Sequence, residues 1–236
     1  MKYTISFSGL RDVNQNQIED QIKKFIYSPV MTAHQNDVVF SEIYFENSKL
    51  SPLPDAEYIE IFNRMDSSVL ISGWKISDGN SDGVISEFRL GPRSYVILYN
   101  ETDSSEFFSV QNGIGVHSFP SLNNDAGDHL ILSNANGEII SEVDFNDNYY
   151  HSNNKNDGGW SIEKINTEFI CANEDNWSAS ISAGHGTPGL SNSVEGNFID
   201  ANPPGIVNVF LKDSFNVSVF LVKIFWKVWT IKKTLE

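Results

Sequence analysis

A chain of 236 residues, 40% of them hydrophobic and with 16 Phe, 8 Tyr and 5 Trp, has the apolar mass for a packed core, which excludes wholesale disorder. Its net charge of -15 sits in the middle, where residues 37–200 hold 26 acids against 7 bases and both ends are mildly basic. An acidic domain repels phosphate backbones, so nucleic-acid binding through a basic patch is excluded.

In chain order, residues 1–8 lack a long apolar region and a small-residue cleavage site, and so do not read as a signal peptide. Residues 3–7 alternate as a strand, Asp12 to Asn16 turn, and residues 24–27 form a second strand. Ser28, Pro29 and Val30 read as a linker. From Asp37 a new series begins, with strands expected over residues 38–45, 57–63, 69–77, 85–90, 94–100, 129–133, 138–145 and 160–164. Asp78-Gly79, Gly91-Pro92, Asn136-Gly137 and Gly158-Gly159 separate them as turn signals. In residues 139–145, Ile139, Val143 and Phe145 are expected on the buried face, with Glu142 and Asp144 opposite. Residues 201–205 read as a second linker, residues 206–211 and 217–221 as two further strands. The apolar stretch over residues 217–231 carries Lys223 and Lys227 and is shorter than a spanning helix needs, so no transmembrane span is expected. More than seven short strands, punctuated this way and without a long amphipathic helix, argue for an all-β sandwich or barrel.

The order of these motifs resembles the lamin tail domain family. Glu57-Tyr58-Ile59-Glu60-Ile61-Phe62-Asn63 and Ile71-Ser72-Gly73-Trp74-Lys75-Ile76-Ser77-Asp78 are similar to its opening, and residues 90–98 to its middle. Residues 121–124, Gly127-Asp128 and Leu130-Ile131-Leu132 continue the series. Gly159-Trp160-Ser161-Ile162-Glu163, Asn176-Trp177 and Gly186-Thr187-Pro188-Gly189 with Asn192-Ser193 resemble the end of bacterial members. The resemblance implies an immunoglobulin-like β-sandwich of the lamin-tail type over residues 37–194. Residues 1–30 resemble the closing strands of a bacterial immunoglobulin-like module, and residues 203–236 the opening strands of another followed by a basic apolar tail. Neighbouring immunoglobulin-like modules of a longer parent are therefore the implied partners, in a cell-envelope or extracellular setting with the signal peptide upstream. Beginning and ending inside modules also fits a truncated or frame-shifted reading.

Trp74 and Trp160, with Trp177, are expected as core anchors. The sharpest chemical signal is Asp78-Gly79-Asn80-Ser81-Asp82-Gly83, which matches the front half of a calcium loop with Asp78, Asn80 and Asp82 as oxygen ligands. Arg89 stands where the bidentate glutamate belongs, so an ordinary hairpin loop is expected and no cofactor is called for. Asp12 to Asn16 is a poorer copy. Asp144 to His151 mixes aromatics with amides and acids, as a glycan-binding surface does, although long exposed loops collect such residues anyway. Cys171 is alone, which excludes an internal disulfide and a cysteine-based zinc site; its apolar neighbours suit packing. His34, His117, His129, His151 and His185 show no metal-ligand spacing, and there is no nucleophile elbow or phosphate loop. A glycosidase-like carboxylate pair is conceivable among so many acids, but nothing nominates one. The expectation is a non-catalytic structural or binding module that spaces, adheres, or binds a glycan or protein ligand; the alternative is an accessory domain of an exported hydrolase or nuclease.

Overall fold

The computed structural model describes residues 2–26, 29–123, 127–170, 174–196, 205–211, 216–222 and 231–232. Eighteen strands form among the described residues, the longer ones from runs rich in β-branched and aromatic residues. The first part of the chain gives β1 (Lys2–Phe7), β2 (Gln21–Ile26), β3 (Val30–Met31), β4 (Val38–Tyr44), β5 (Tyr58–Asn63) and β6 (Ser68–Leu70). The middle gives β7 (Lys75–Ser77), β8 (Asp82–Val84), β9 (Arg89–Leu90), β10 (Tyr95–Asn100), β11 (Gly113–Val116), β12 (Asp128–Ser133) and β13 (Ile139–Phe145). The last part gives β14 (Ile162–Lys164), β15 (Trp177–Ala179), β16 (Gly205–Leu211), β17 (Asn216–Val222) and β18 (Ile231–Lys232).

Two sheets build the sandwich. One has six strands in the order β11-β10-β5-β4-β14-β15, the other four in the order β13-β12-β7-β8. Pairing is antiparallel except between β10 and β11 in the first sheet. A small sheet, β3-β6-β9, flanks them, and two separate hairpin sheets, β1-β2 and β16-β17-β18, lie at the ends of the chain. The core draws on both large sheets: Phe40, Ile43, Ile59, Ile61 and Leu98 from the first, Trp74, Ile76, Leu130 and Leu132 from or beside the second. β4 and β5 are buried along their whole length, so both faces of the six-stranded sheet are covered. The outer face carries a second apolar cluster, Tyr44, Tyr58, Ile97, Tyr99 and Phe107 with Leu53 and Ala56. Tyr99 and Phe107 stack there at 4.0 Å. Among the described residues no helix is long and apolar enough to cross a membrane.

Several expectations need correction. The sandwich begins before Asp37: β3 pairs with β6, the Ser68 amide donates to Pro29 O at 3.0 Å, and Ala33 is buried in the core. Pro29 and Val30, read as part of a linker, are thus docked. The single strand expected over residues 69–77 is two strands in different sheets, because Gly73 at φ +75° turns the chain between β6 and β7. Residues 85–90 hold only the short β9, and β8 lies just before them. In β13 a bulge opposite Leu132 and Ser133 shifts the alternation, so Ile140 is buried and Ile139 is 43% exposed. Trp160 packs against the core without entering it, while Trp74 and Trp177 are buried. Tyr149 and Tyr150 are core residues, not part of an exposed surface: the Tyr150 hydroxyl donates to Trp160 O at 3.0 Å, and its ring lies 5.4 Å from Phe45. Cys171, residues 201–204 and most of the apolar basic tail lie outside the described residues.

Burial ranks the tryptophans. Trp74→Ala lowers stability by about 3–5 kcal/mol, the usual cost of truncating a core aromatic, and Trp160→Ala by clearly less. Urea melts of both variants check this, and equal losses would contradict the ranking.

Candidate functional site

Three neighbouring strands set a glutamate at one level of the six-stranded sheet. Glu60 of β5 lies directly opposite Glu42 of β4, and Glu42 lies directly opposite Glu163 of β14. None of the three is exposed to solvent. Like charges directly opposite each other repel, and burying a carboxylate without partners is costly, so the row exists only because something satisfies it.

Part of that comes from the sheet. The register between β4 and β5 shifts between Phe40 and Glu42, which leaves Ser41 as a bulge residue. Its hydroxyl donates to Glu60 Oε1 at 2.6 Å, and the Tyr58 hydroxyl donates to Glu42 Oε1 at 2.6 Å. The rest comes from the segment over residues 184–196. Thr187 donates its amide to Glu42 Oε1 at 2.9 Å, and its Oγ1 lies 3.2 Å from Glu42 Oε2 and 3.0 Å from Glu163 Oε1. The Gly189 amide donates to Glu60 Oε2 at 2.7 Å. Ser193 Oγ and the Val194 amide donate to Glu163 Oε2 at 2.7 and 3.1 Å. Asn192 Nδ2 ties the same segment to Ser41 O and Lys164 O at 2.9 and 2.8 Å.

The local sequence explains how the segment points its amides downward. Pro188 and Gly189 occupy the centre of a turn closed by the Leu190 amide donating to Thr187 O at 2.9 Å, and Gly189 has φ +80°. That is type II turn chemistry, with Pro at the second position and Gly at the third. Gly186 is required by space: a Cβ there would lie 2.6 Å from Glu42 Oε1 and 2.8 Å from the Tyr58 hydroxyl.

Burial, then the charge of Glu163, pushes the Glu42 carboxyl up to about 7, against the pull of hydrogen bonds from Ser161, Tyr58 and Thr187. Burial and the charge of Glu42 push Glu60 well above the usual carboxylate range. Burial, with Glu42 beside it, also raises the Tyr58 hydroxyl. Glu42 and Glu60 therefore hold protons that exposed carboxylates would release, and Thr187 Oγ1 bridges Glu42 and Glu163.

At the surface, Asp55, Glu57, Asp103, Asn47 and Asn100 line a cleft of about 250 Å³ with Phe119 and Pro120 among its apolar walls. Glu57 Oε2 accepts the Leu122 amide at 3.1 Å, and partial burial pushes this carboxyl up to about 6. Asn47 Nδ2 donates to Asp55 Oδ1 at 2.9 Å.

The residues singled out as calcium ligands sit in the hairpin loop between β7 and β8. Asp78 Oδ1 accepts the amides of Asn80 and Ser81 at 2.8 and 2.7 Å; burial pushes this carboxyl up, but the hydrogen bonds from Ser81 and Asn80 together hold it below its usual range. Asp82 Oδ2 is 3.6 Å from Lys75 Nζ across the hairpin. Both carboxylates thus have partners in the fold. Among the described residues no group of three His, Cys, Asp or Glu is placed to hold a metal ion. Asp12 is bound the same way, with Oδ1 accepting the amides of Asn14 and Asn16 at 2.8 and 2.9 Å. The histidines are dispersed: His117 faces Glu101, His129 faces Asp144, His151 faces Glu174 O, and His185 stacks on Trp160 at 3.6 Å.

The two facing sheets, their bulges and their doubly covered central strands define an all-β, immunoglobulin-like sandwich. Residues 31–147 match the model of the Lamin Tail Domain family. No curated protein matches the chain. The match ends before β14, β15 and the segment over residues 184–196, yet β14 pairs directly with β4, so the folded unit runs past the matched region.

Close packing at Gly186 gives a direct check: Gly186→Ala costs about 1–3 kcal/mol in a urea melt, as overpacking does. Millimolar calcium leaves the melting temperature of the chain unchanged, because the loop carboxylates are already engaged. A rise that Asp82→Ala abolishes would reverse that reading.

Proposed function

We propose that the chain is a non-catalytic spacer and adhesion module of an exported or cell-envelope multidomain protein of bacterial type. The observation that carries this reading is the fate of the acids. The carboxylates that the fold brings together, and that would otherwise be nominated for acid–base chemistry, are turned into the body of the module and spent on clamping the segment over residues 184–196. Their role is to hold the chain in shape. The acidic surface suits a soluble, well-separated module, and the hairpin sheets at both ends fit continuation into neighbouring immunoglobulin-like modules. A surface open to a ligand is the cleft beside Glu57. Its amides and carboxylates suit a hydroxyl-rich partner such as a cell-wall glycan.

Retention of the purified chain on immobilised cell-wall polysaccharide, measured beside turnover of glycosidase, esterase and phosphodiesterase substrates, tests the proposal. Retention weakened by Asn100→Ala and no turnover are expected. Turnover abolished by Glu42→Gln or Glu60→Gln would overturn it.

A further inference from the structure

We infer that residues 184–196 form a pH-governed strap, which neutral donors hold against the Glu60–Glu42–Glu163 row and which rising pH releases. The geometry fixes each part of this. The strap supplies the Thr187, Gly189 and Val194 amides and the Thr187 and Ser193 hydroxyls to the row. These donors are neutral, so each added negative charge must be held by dipoles alone.

The bases nearest in the fold are committed elsewhere. Lys155 Nζ donates to Ser180 O and lies over Trp160, and Lys164 Nζ lies over Trp177. Arg64 donates to Asn36 O and Glu168, and Arg93 to Asp66 and Glu168. The other titratable groups facing the row are Tyr58 of β5, and Tyr95 of β10, which feels Glu60 and Glu195. On the strap itself are Glu195, which accepts the Ser191 hydroxyl, and His185, whose Nδ1 lies 2.9 Å from Gly159 O. Tyr58, Tyr95 and Glu195 bring no positive charge to the row, and the His185 ring is engaged with Gly159 O.

The direction follows from proton counting. With the strap closed, Glu42 holds its proton to about pH 7; with the strap open and the row in water, it releases it near 4.5. The closed state therefore binds more protons. Its advantage is complete below the open-state value and is lost as pH rises through the closed-state value. This is the reverse of ordinary acid denaturation, in which paired carboxylates favour the folded state at high pH. Because the strap covers one face of the sheet, opening it uncovers the row and Tyr58 without dismantling the core on the opposite face.

Hydrogen exchange of the full chain, corrected for intrinsic rates and read on strap and β5 peptides between pH 5 and 9, tests the inference. In the parent chain, strap opening should rise about tenfold per pH unit for each proton released, beginning near pH 5 and flattening above the closed-state values. β5 peptides should change far less. Glu42→Gln and Glu60→Gln should each reduce the slope, and His185→Gln should leave it intact. A strap whose opening is flat with pH, a slope unchanged in both glutamine variants, or a slope that disappears in His185→Gln would overturn it. If a glutamine variant does not fold, the parent slope and His185→Gln still decide.

Discussion

Carboxylates enter the covered face of a sheet only when every oxygen meets a donor, and that requirement organises this molecule. Three of them stand abreast on β5, β4 and β14, so the sheet beneath cannot be closed by apolar packing alone. A bulge must free Ser41 to reach Glu60. A tyrosine must stand beside Glu42. A turn must expose two backbone amides on one side, and a glycine must precede it to let the backbone come close. Removing one partner from such an arrangement is worse than never having built it, because the remaining group stays buried and unpaired.

The same requirement divides the molecule's two apolar clusters. Between the sheets, packing is of the ordinary kind: aliphatic and aromatic side chains in alternation, with no need of exact partners. On the outer face, aromatic rings border the acid row. Tyr44 and Tyr58 lie 5.4 Å apart and Tyr58 and Phe107 6.1 Å apart, excluding water beside groups that would otherwise be solvated. Low local polarity strengthens each hydrogen bond to the row and also penalises each uncompensated charge. The outer face is therefore the more specific of the two and the more sensitive to its protonation state.

Much of the framework was legible in the sequence because it is written locally. β4, β5, β10, β12 and β13 announce themselves by short β-branched and aromatic runs between turn residues, and their order carried the resemblance that the family match supports over residues 31–147. The break at Gly73 was not legible, since Ile71 to Ile76 keeps strand-like composition across a change of sheet. Tyr149 and Tyr150 misled because their neighbours are polar, whereas a short 3-10 turn, Asp147–Tyr150, swings both rings inward. The acid row was invisible for a different reason. Each glutamate follows a small or apolar residue in a buried strand, as in Ser41-Glu42-Ile43 and Ile59-Glu60-Ile61, and that is a usable warning sign. Which acids meet is set by strand register, across neighbouring strands for Glu42 and Glu60 and across a distant part of the chain for Glu163, and no local pattern encodes it.

The distance along the chain between the acids and their strap has a consequence for how the protein is made. Glu42 and the Thr187 amide that satisfies it are 145 residues apart. At a ribosomal pace of about 5–20 residues per second, β4 waits roughly 7–30 s for its partner to be synthesised. During that interval β4 and β5 emerge with their acids in water and ionised. Two apolar strands thus carry charge while they are alone, as charged gatekeepers beside apolar stretches do. The glutamates act as temporary gatekeepers in the growing chain and as clamps in the finished one.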